Sequence, residues 1–568
     1  MRILYPLLIL SCALSAPVAT LAGASLVPKT PEEYIRRFER MYTAGNRADE
    51  TLLTYDPGPK CLGEKEIPTL IEMTRSSVAD VRSWAIHRLG REKAKEAVPA
   101  LVERLKDQDR SAREAAIFAL GELGDREAVD PLLEIVAKDA YVGGKAARAL
   151  GKIGDRRALE PLLGCLSEMP PTRRADAAWA LGRLGDKRAV DPILAVAKDP
   201  DPAVRRAAAE SLGLLKDPRA VETLVEALLD SDREVRQNAA VSLGQIGDKK
   251  AVPALLKALK EEEDTTVQGK VADALGLLGD RSAVPALTAA LDPKAPLVSA
   301  RAAKALHALG DRRGLEFLAQ SIKSLEAPSH NVFHAGRDAL IEIGADAIPI
   351  LVPLLGAEGD DLSAPGRFLM EIFPKIGRPA GDALLKALEG GNKNAKRRAV
   401  YLLGVIREPR AAGPLAKVIL QSDGMLQIQA ARSLGALGKP ATPAILSLLR
   451  RRNDPKAISW GAMAAGVSDD PALVDAMLGL LSSNDPGTRS RVVSGLSSKK
   501  DPRVPAALVR LLDDPDPESR RAAANALVRC GNEKHVPALQ RRLKRETDLI
   551  TKEDIQNAIK SLLNKQDN

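Results

Sequence analysis

Aromatic side chains are scarce: 3 Trp, 6 Tyr and 6 Phe among 568 residues. Recognition of single-stranded nucleic acid relies on successive stacking platforms, so this composition argues against it. The chain has only five histidines, His87, His307, His330, His334 and His535, and none is followed by glutamate. There is no H-E-x-x-H, no G-x-x-x-x-G-K-[ST], no G-x-S-x-G, no C-x-x-C and no complete EF-hand loop, which removes the usual signatures of metal, phosphate and acyl chemistry. No catalytic, cofactor-binding or metal-ligating residue is assigned on these grounds, and a non-catalytic role is expected. Beyond the first 24 residues, no stretch reads as long and apolar enough to span a membrane.

What the chain does have is repetition. LGELGDREAVDPLLEIV (120–136) returns as LGKIGDRRALEPLLGCL (150–166), LGRLGDKRAVDPILAVA (181–197) and LGQIGDKKAVPALLKAL (243–259), at a step of 30 to 32 residues. Such a period denotes a stacked array rather than a set of globular domains. Within one period, Val190, Ile193, Leu194, Val196 and Ala197 form one helical stripe. Val204, Ala207, Ala208, Ser211, Leu212 and Leu215 form a second, so each unit reads as two helices. Pro192 fits only the first turn of the first helix, so the preceding D-K-R-A-V reads as a short 3₁₀ turn. Gly124, Gly154, Gly185, Gly247 and Gly279 stand where a left-handed helix end belongs. The aspartates that follow (Asp125, Asp155, Asp186, Asp248, Asp280) suit capping of the next turn. Gly121 and its equivalents lie inside the second helix and are read as sites of close helix approach.

The pattern A-V-x-P-L-L, D-x-D, V-R-x-x-A-A-x-x-L-G-x-[LI]-G-D resembles the HEAT-like repeats first named from phycobilisome lyases, at high specificity over 67–322 and more weakly to about 545. The resemblance implies an all-α fold, a HEAT/armadillo-like α-solenoid coiled as a right-handed superhelix with the second helices lining its inner face. The register gives about 15 two-helix repeats. In the weaker units, Gly404, Gly435 and Gly466 hold the 31-residue step and Ser497 and Val528 continue it. EIGADAIPILVPLL (342–355) and ALGKPATPAILSLL (436–449) exchange the G-D-R turn for G-x-x-A-x-P. The organisation read from the chain is 1–24, 25–66, regular repeats 67–322, divergent repeats 323–500, and repeats with a final helix 501–568.

Residues 1–24 read as a secretory signal peptide: Arg2, the apolar ILYPLLIL, and Ala22-Gly23-Ala24 before Ser25. Pro6 and Pro17 interrupt the apolar run. Two other readings stay open, a lipid anchor at Cys12 and a cytosolic protein with an apolar start. Thr30-Pro31-Glu32-Glu33 resembles a capping box that opens a helix to about Thr43. Residues 44–66 read as a loop, and Thr551–Lys565 as a final amphipathic helix. The chain is therefore expected to be exported, periplasmic or extracellular.

Several features admit both a structural and a functional reading. Asp109/Arg113, Asp201/Arg205, Asp232/Arg236, Asp485/Arg489 and Asp516/Arg520 recur at one register. They form either a ladder between repeats or an inner row of ligand-binding arginines. Net charge is +9, with basic clusters at Arg173-Arg174, Arg205-Arg206, Lys396-Arg397-Arg398, Arg450-Arg451-Arg452 and Arg541-Arg542 with Lys544-Arg545. These suit a polyanion groove or a solvated surface. Trp84, Trp179 and Trp460 lie on second helices as ligand anchors or as packing between repeats. His330 and His334 share a helix face, but Asp338 is a poor third ligand, and Pro296, Ala300, Leu362 and Gly366 of neighbouring repeats cannot ligate. Cys61, Cys165 and Cys530 are far apart in a chain of local contacts, so no disulfide is expected.

The expected function is an exported scaffold that binds a protein partner on the concave face. The alternatives are a subunit resembling the bilin lyases and a basic-groove polyanion binder. HEAT-like enzymes such as deoxyhypusine hydroxylase use His-Glu dipeptides, which this chain lacks, and export disfavours the DNA glycosylase parallel.

Overall fold

The structure is a computed structural model; it describes residues 30, 32–33, 35–36, 38–39 and 66–564, apart from 140, 168, 324–329, 359–363 and 452. The proposed signal segment, Cys12, Cys61, Arg452 and most of the 44–66 loop lie outside the described residues. Among the described residues there are helices and no strand. The chain divides into two compact units, Met1–Ile246 and Gly247–Asn568.

One repeat of the first unit shows the local logic. Helix Pro171–Leu184 stops at Gly185, whose φ of 74° is left-handed. The Asp186 carboxylate then accepts from the Arg188 N–H and starts the 3₁₀ turn Lys187–Ala189. Helix Val190–Val196 follows, with Pro192 in its first turn, where a missing N–H costs nothing. It buries Val190 and Ile193, while Leu194, Val196 and Ala197 are half-buried. Asp201 caps helix Pro202–Leu215 by accepting from the Ala203 N–H at 2.8 Å. The other four Gly-Asp turns behave alike: each glycine has a positive φ, and each aspartate accepts from the N–H two residues on.

Within each unit, successive second helices pack side by side, and the interior glycines set the distance. A Cβ on Gly182 would lie 2.5 Å from the Ser211 Cβ, and one on Gly151 would lie 2.7 Å from the Ala180 Cα. Gly121 faces Ala149, Gly404 faces Ser433 and Gly466 faces Gly495 in the same way. Ser211 and Ser242 use the seam chemically: their buried hydroxyls donate to the Ala178 and Ala209 carbonyls of the preceding repeat, at 2.8 and 2.7 Å. The core is accordingly a continuous file of Ala, Val and Leu rather than a central cluster.

The second unit keeps this plan with other turn chemistry. Gly344, Gly377 and Gly438 have φ near 70° and lead into 3₁₀ turns; in the last two the glycine takes the cap position, and proline stands where the Gly-Asp turns carry the N–H that the aspartate accepts. One expectation needs correction. Residues 334–356 are long and apolar enough, by composition, to cross a membrane. The backbone there is interrupted: helix His330–Ile343 gives way to 3₁₀ turn Gly344–Ala347, a short helix Ile348–Leu351 and 3₁₀ turn Val352–Gly356. Pro349 and Pro353 remove amide donors from this stretch, and its Leu351, Leu354 and Leu355 enter the core of the second unit.

The described residues between 32 and 39 are helical. Thr30 Oγ1 accepts from the Glu33 N–H at 3.2 Å, and Phe38 is buried against Trp84 with ring centres 4.4 Å apart. The final helix spans Leu549–Leu563, two residues ahead of the expected start, because Asp548 caps it through the Thr551 N–H.

Candidate functional site: the second-helix face

The recurrent arginines are the first candidates, and geometry assigns them to the stack. Arg205 does not pair with Asp201, its neighbour in register. It reaches the next repeat, where Nε and Nη2 donate to Asp230 at 2.7 and 2.8 Å, and it donates back to the carbonyls of Asp199 and Pro200. Arg82–Asp107, Arg174–Asp199 and Arg489–Asp514 repeat the link, and Arg520–Glu546 is its glutamate version. In D-x-D the second carboxylate caps the helix and the first receives the arginine. That first carboxylate also accepts from the N–H of the second, as Asp230 does from Asp232 at 2.8 Å. The hydrogen bonds from Arg205 hold the Asp230 carboxyl below the usual carboxylate range. Counting residues four apart concealed the partner; counting 25 ahead finds it. In the second unit, Gln268 and Ser299 stand at the arginine position and donate to carbonyls at the end of their own first helix, a bond within the repeat in place of the link between repeats.

The basic clusters are partly consumed in the same manner. Arg173 donates to the Val136 and Asp139 carbonyls, Arg206 pairs with Glu234, and Arg398 is fully buried with Nη1 on the Leu355 and Ala357 carbonyls. Arg542 pairs with Glu546 at 3.0 Å.

The tryptophans separate by register. Trp84 and Trp460 each stand six residues before a seam glycine (Gly90, Gly466). Trp84 packs on Phe38 and Trp460 against the core of the second unit. Trp179 stands three before Gly182, a position that faces outward. In successive repeats of the first unit this outward position holds His87, Phe118, Arg148, Trp179 and Glu210, and they form a linked row. The His87 and Phe118 ring centres are 5.8 Å apart. Lys152 Nζ lies 4.9 Å from the Phe118 centre and donates to Glu122 at 2.5 Å. The Arg148 and Arg183 guanidiniums lie 4.3 and 5.4 Å from the Trp179 centre. Arg148 also pairs with Asp176 at 3.1 Å, and the Trp179 indole N–H donates to Glu210 at 3.1 Å. Partial burial, reinforced by Arg91, pushes the His87 pKa down. Phe118 remains 45% exposed.

The same register in the second unit begins with ions, Asp273 with Lys304 and, beside them, Arg301 with Glu342. It continues through Tyr401, Arg432 and Met463, where Tyr401, Val405 and Val467 are exposed.

His334 lies in helix His330–Ile343, while the His330 side chain falls outside the described residues. Among the described residues no group of three His, Cys, Asp or Glu is placed to hold a metal. Burial pushes the Cys165 thiol up, and the Cys530 thiol donates to the Ala526 carbonyl at 3.3 Å.

An all-α solenoid built from two-helix repeats is thus the class of this protein. A family model described as HEAT repeats matches ten overlapping stretches, running from 67–142 to 252–329 and from 381–466 to 473–560. The chain belongs to the HEAT repeat family. No curated protein matches it. Among solved structures, the complex of CpcE and CpcF of phycocyanin lyase from Nostoc sp. PCC7120 is 27% identical over 37% of this chain and 86% of that chain, with a TM-score of 0.29. Kap121p is 12% identical over 94% of this chain and 78% of its own, with a TM-score of 0.38. Kap95p, solved with RanGDP, is 13% identical over 91% of this chain and 85% of its own, with a TM-score of 0.39.

Proposed function

We propose that this chain is a non-catalytic, exported scaffold that holds a protein partner on the solvent-facing side of its second helices, the side expected to line the concave face. The observation that carries this reading is the row His87–Phe118–Arg148–Trp179–Glu210. Rings are rare in this chain, yet two of them stand on one outward register with cations already stacked on them. Rigid aromatic and arginine side chains are the residues that dominate protein interfaces, because they bury area at little entropic cost. The polyanion alternative is weakened because many of the clustered arginines are engaged in links and caps. Export rests on residues 1–24, and the absence of catalytic motifs supports a binding role.

The test is a cross-linked pull-down from native cells with residues 25–568 as bait. A stoichiometric protein that survives moderate salt, and is lost with Phe118→Ala/Trp179→Ala, is the expected result. Recovery of no protein, or recovery indifferent to both substitutions, overturns the reading.

A further inference from the structure

At the start of most second helices the first two residues are polar or small: Arg110-Ser111, Thr265-Thr266, Pro517-Glu518. In helix Leu549–Leu563 they are Leu549 and Ile550, which are 79% and 60% exposed. The turn that displays them is pinned rather than frayed. The Glu546 side chain, fully buried, accepts from Arg520 and Arg542 and from the N–H groups of Thr547 and Asp548, both at 3.0 Å. Asp548 accepts from the Thr551 N–H and hydroxyl at 2.8 and 2.6 Å. Within eight residues of the pair along the chain, Arg541, Lys544, Arg545 and Lys552 are all exposed, and their side chains have no hydrogen-bond or ion-pair partner among the described residues. The acids in the same stretch are Glu546 and Asp548, both occupied as above, the exposed Glu553, and Asp554, which accepts from the Asn525 amide at 2.9 Å.

We infer that this turn docks the protein on an anionic lipid surface. Leu549 and Ile550 enter the boundary between headgroups and acyl chains, while the four cations lie on the headgroups. An exposed aliphatic pair flanked in sequence by unpaired cations is the composition of an interfacial anchor. A protein partner is favoured less, because leucine is under-represented among interface hot spots. A soluble polyanion would use the cations and leave the two aliphatic side chains in water. The inference is independent of the aromatic row in the first unit.

The experiment is co-sedimentation of residues 25–568 with phosphatidylcholine vesicles, with and without phosphatidylglycerol. Binding is expected only to the anionic vesicles. Leu549→Ser/Ile550→Ser should weaken it about tenfold or more, and Lys544→Ala and Arg545→Ala about fivefold each. All four positions are exposed, so far-UV circular dichroism should not change. Ile550→Trp should add an emission component that moves to shorter wavelength on anionic vesicles alone. Unchanged binding of the double serine variant overturns the inference. So does competition by heparin that is equal for wild type and that variant, or a self-association that the serine substitutions abolish.

Discussion

Arg205 and Asp230, one repeat apart, are joined by two parallel hydrogen bonds of 2.7 and 2.8 Å, with side chains 16% and 13% exposed. Arg205→Ala strands a partly buried carboxylate, and should cost about 2 kcal/mol at that junction. Arg205→Lys keeps the charge but not the planar fork, and should recover only part of the loss. Hydrogen exchange checks this: amides in Pro202–Leu215 and Arg233–Ile246 should exchange roughly thirtyfold faster in the alanine variant. Uniform acceleration along the chain would mean that the link is not local.

Acid should loosen the molecule over a defined range. The hydrogen bonds from Arg520 depress Glu546 from 4.5 to about 2. Those from Arg188, Arg313 and Arg503 bring Asp186, Asp311 and Asp501 from 3.8 to about 2. A carboxylate with a lowered folded-state pKa contributes stability above its unfolded value and loses it as pH falls through the folded one. Thermal midpoints should therefore fall as pH drops from about 4.5 to about 2. Glu546→Gln should lower the midpoint at pH 7 and flatten its dependence in that interval.

The fold was legible because packing repeats with the chain: the glycine at each helix end, the aspartate after it and the proline in the first turn each answer a local backbone need. The candidate surface was legible only in part. Trp179 looks like Trp84 and Trp460 until its distance from the seam glycine is counted, three residues instead of six. A ladder between repeats was legible from the fixed register, but which carboxylate each arginine takes was not, because the two ends of the link lie 25 residues apart. The exposed Leu549 and Ile550 carried no signal of their own, since an amphipathic helix was expected there in any case.

The seam should be intolerant of a single methyl group. A Cβ on Gly182 would meet the Ser211 Cβ at 2.5 Å and its Cα at 2.6 Å, backbone that cannot rotate away. Gly182→Ala is expected to cost about 1–3 kcal/mol. Adding Ser211→Gly removes the Cβ and Oγ but leaves the Cα at 2.6 Å, so it relieves only part of the clash, and the double variant should be somewhat more stable than the sum of the single changes requires. Denaturant melts of the four proteins measure the coupling, and strict additivity would refute the contact.

Two turns predict opposite outcomes for glycine. Lys216 takes the left-handed helix end with φ 49° and ψ 46°, where other repeats use glycine. Lys216→Gly relieves that strain and should stabilise by about 0.5–1 kcal/mol after the entropy cost of glycine. Gly438 has φ 72° and ψ −144°, a region closed to side chains. Gly438→Ala should cost about 1–3 kcal/mol. Thermal denaturation of the two variants decides both signs.

Removing one period should leave a shorter but folded array. Deleting residues 186–216 joins Gly185 to Asp217, which restores a Gly-Asp turn whose aspartate already accepts from the Arg219 N–H. Arg174 then stands one repeat from Asp230, in place of Asp199, and Gly182 faces Ser242, in place of Ser211. Both replacements conserve the chemistry of the junction. What is lost is the Glu210 partner of the Trp179 indole, since Val241 takes that register. Helicity per residue should therefore be unchanged, while a partner held through Trp179 should bind more weakly. Collapse of all helicity would refute stacking by nearest neighbours, because in such an array each repeat depends only on the two it touches.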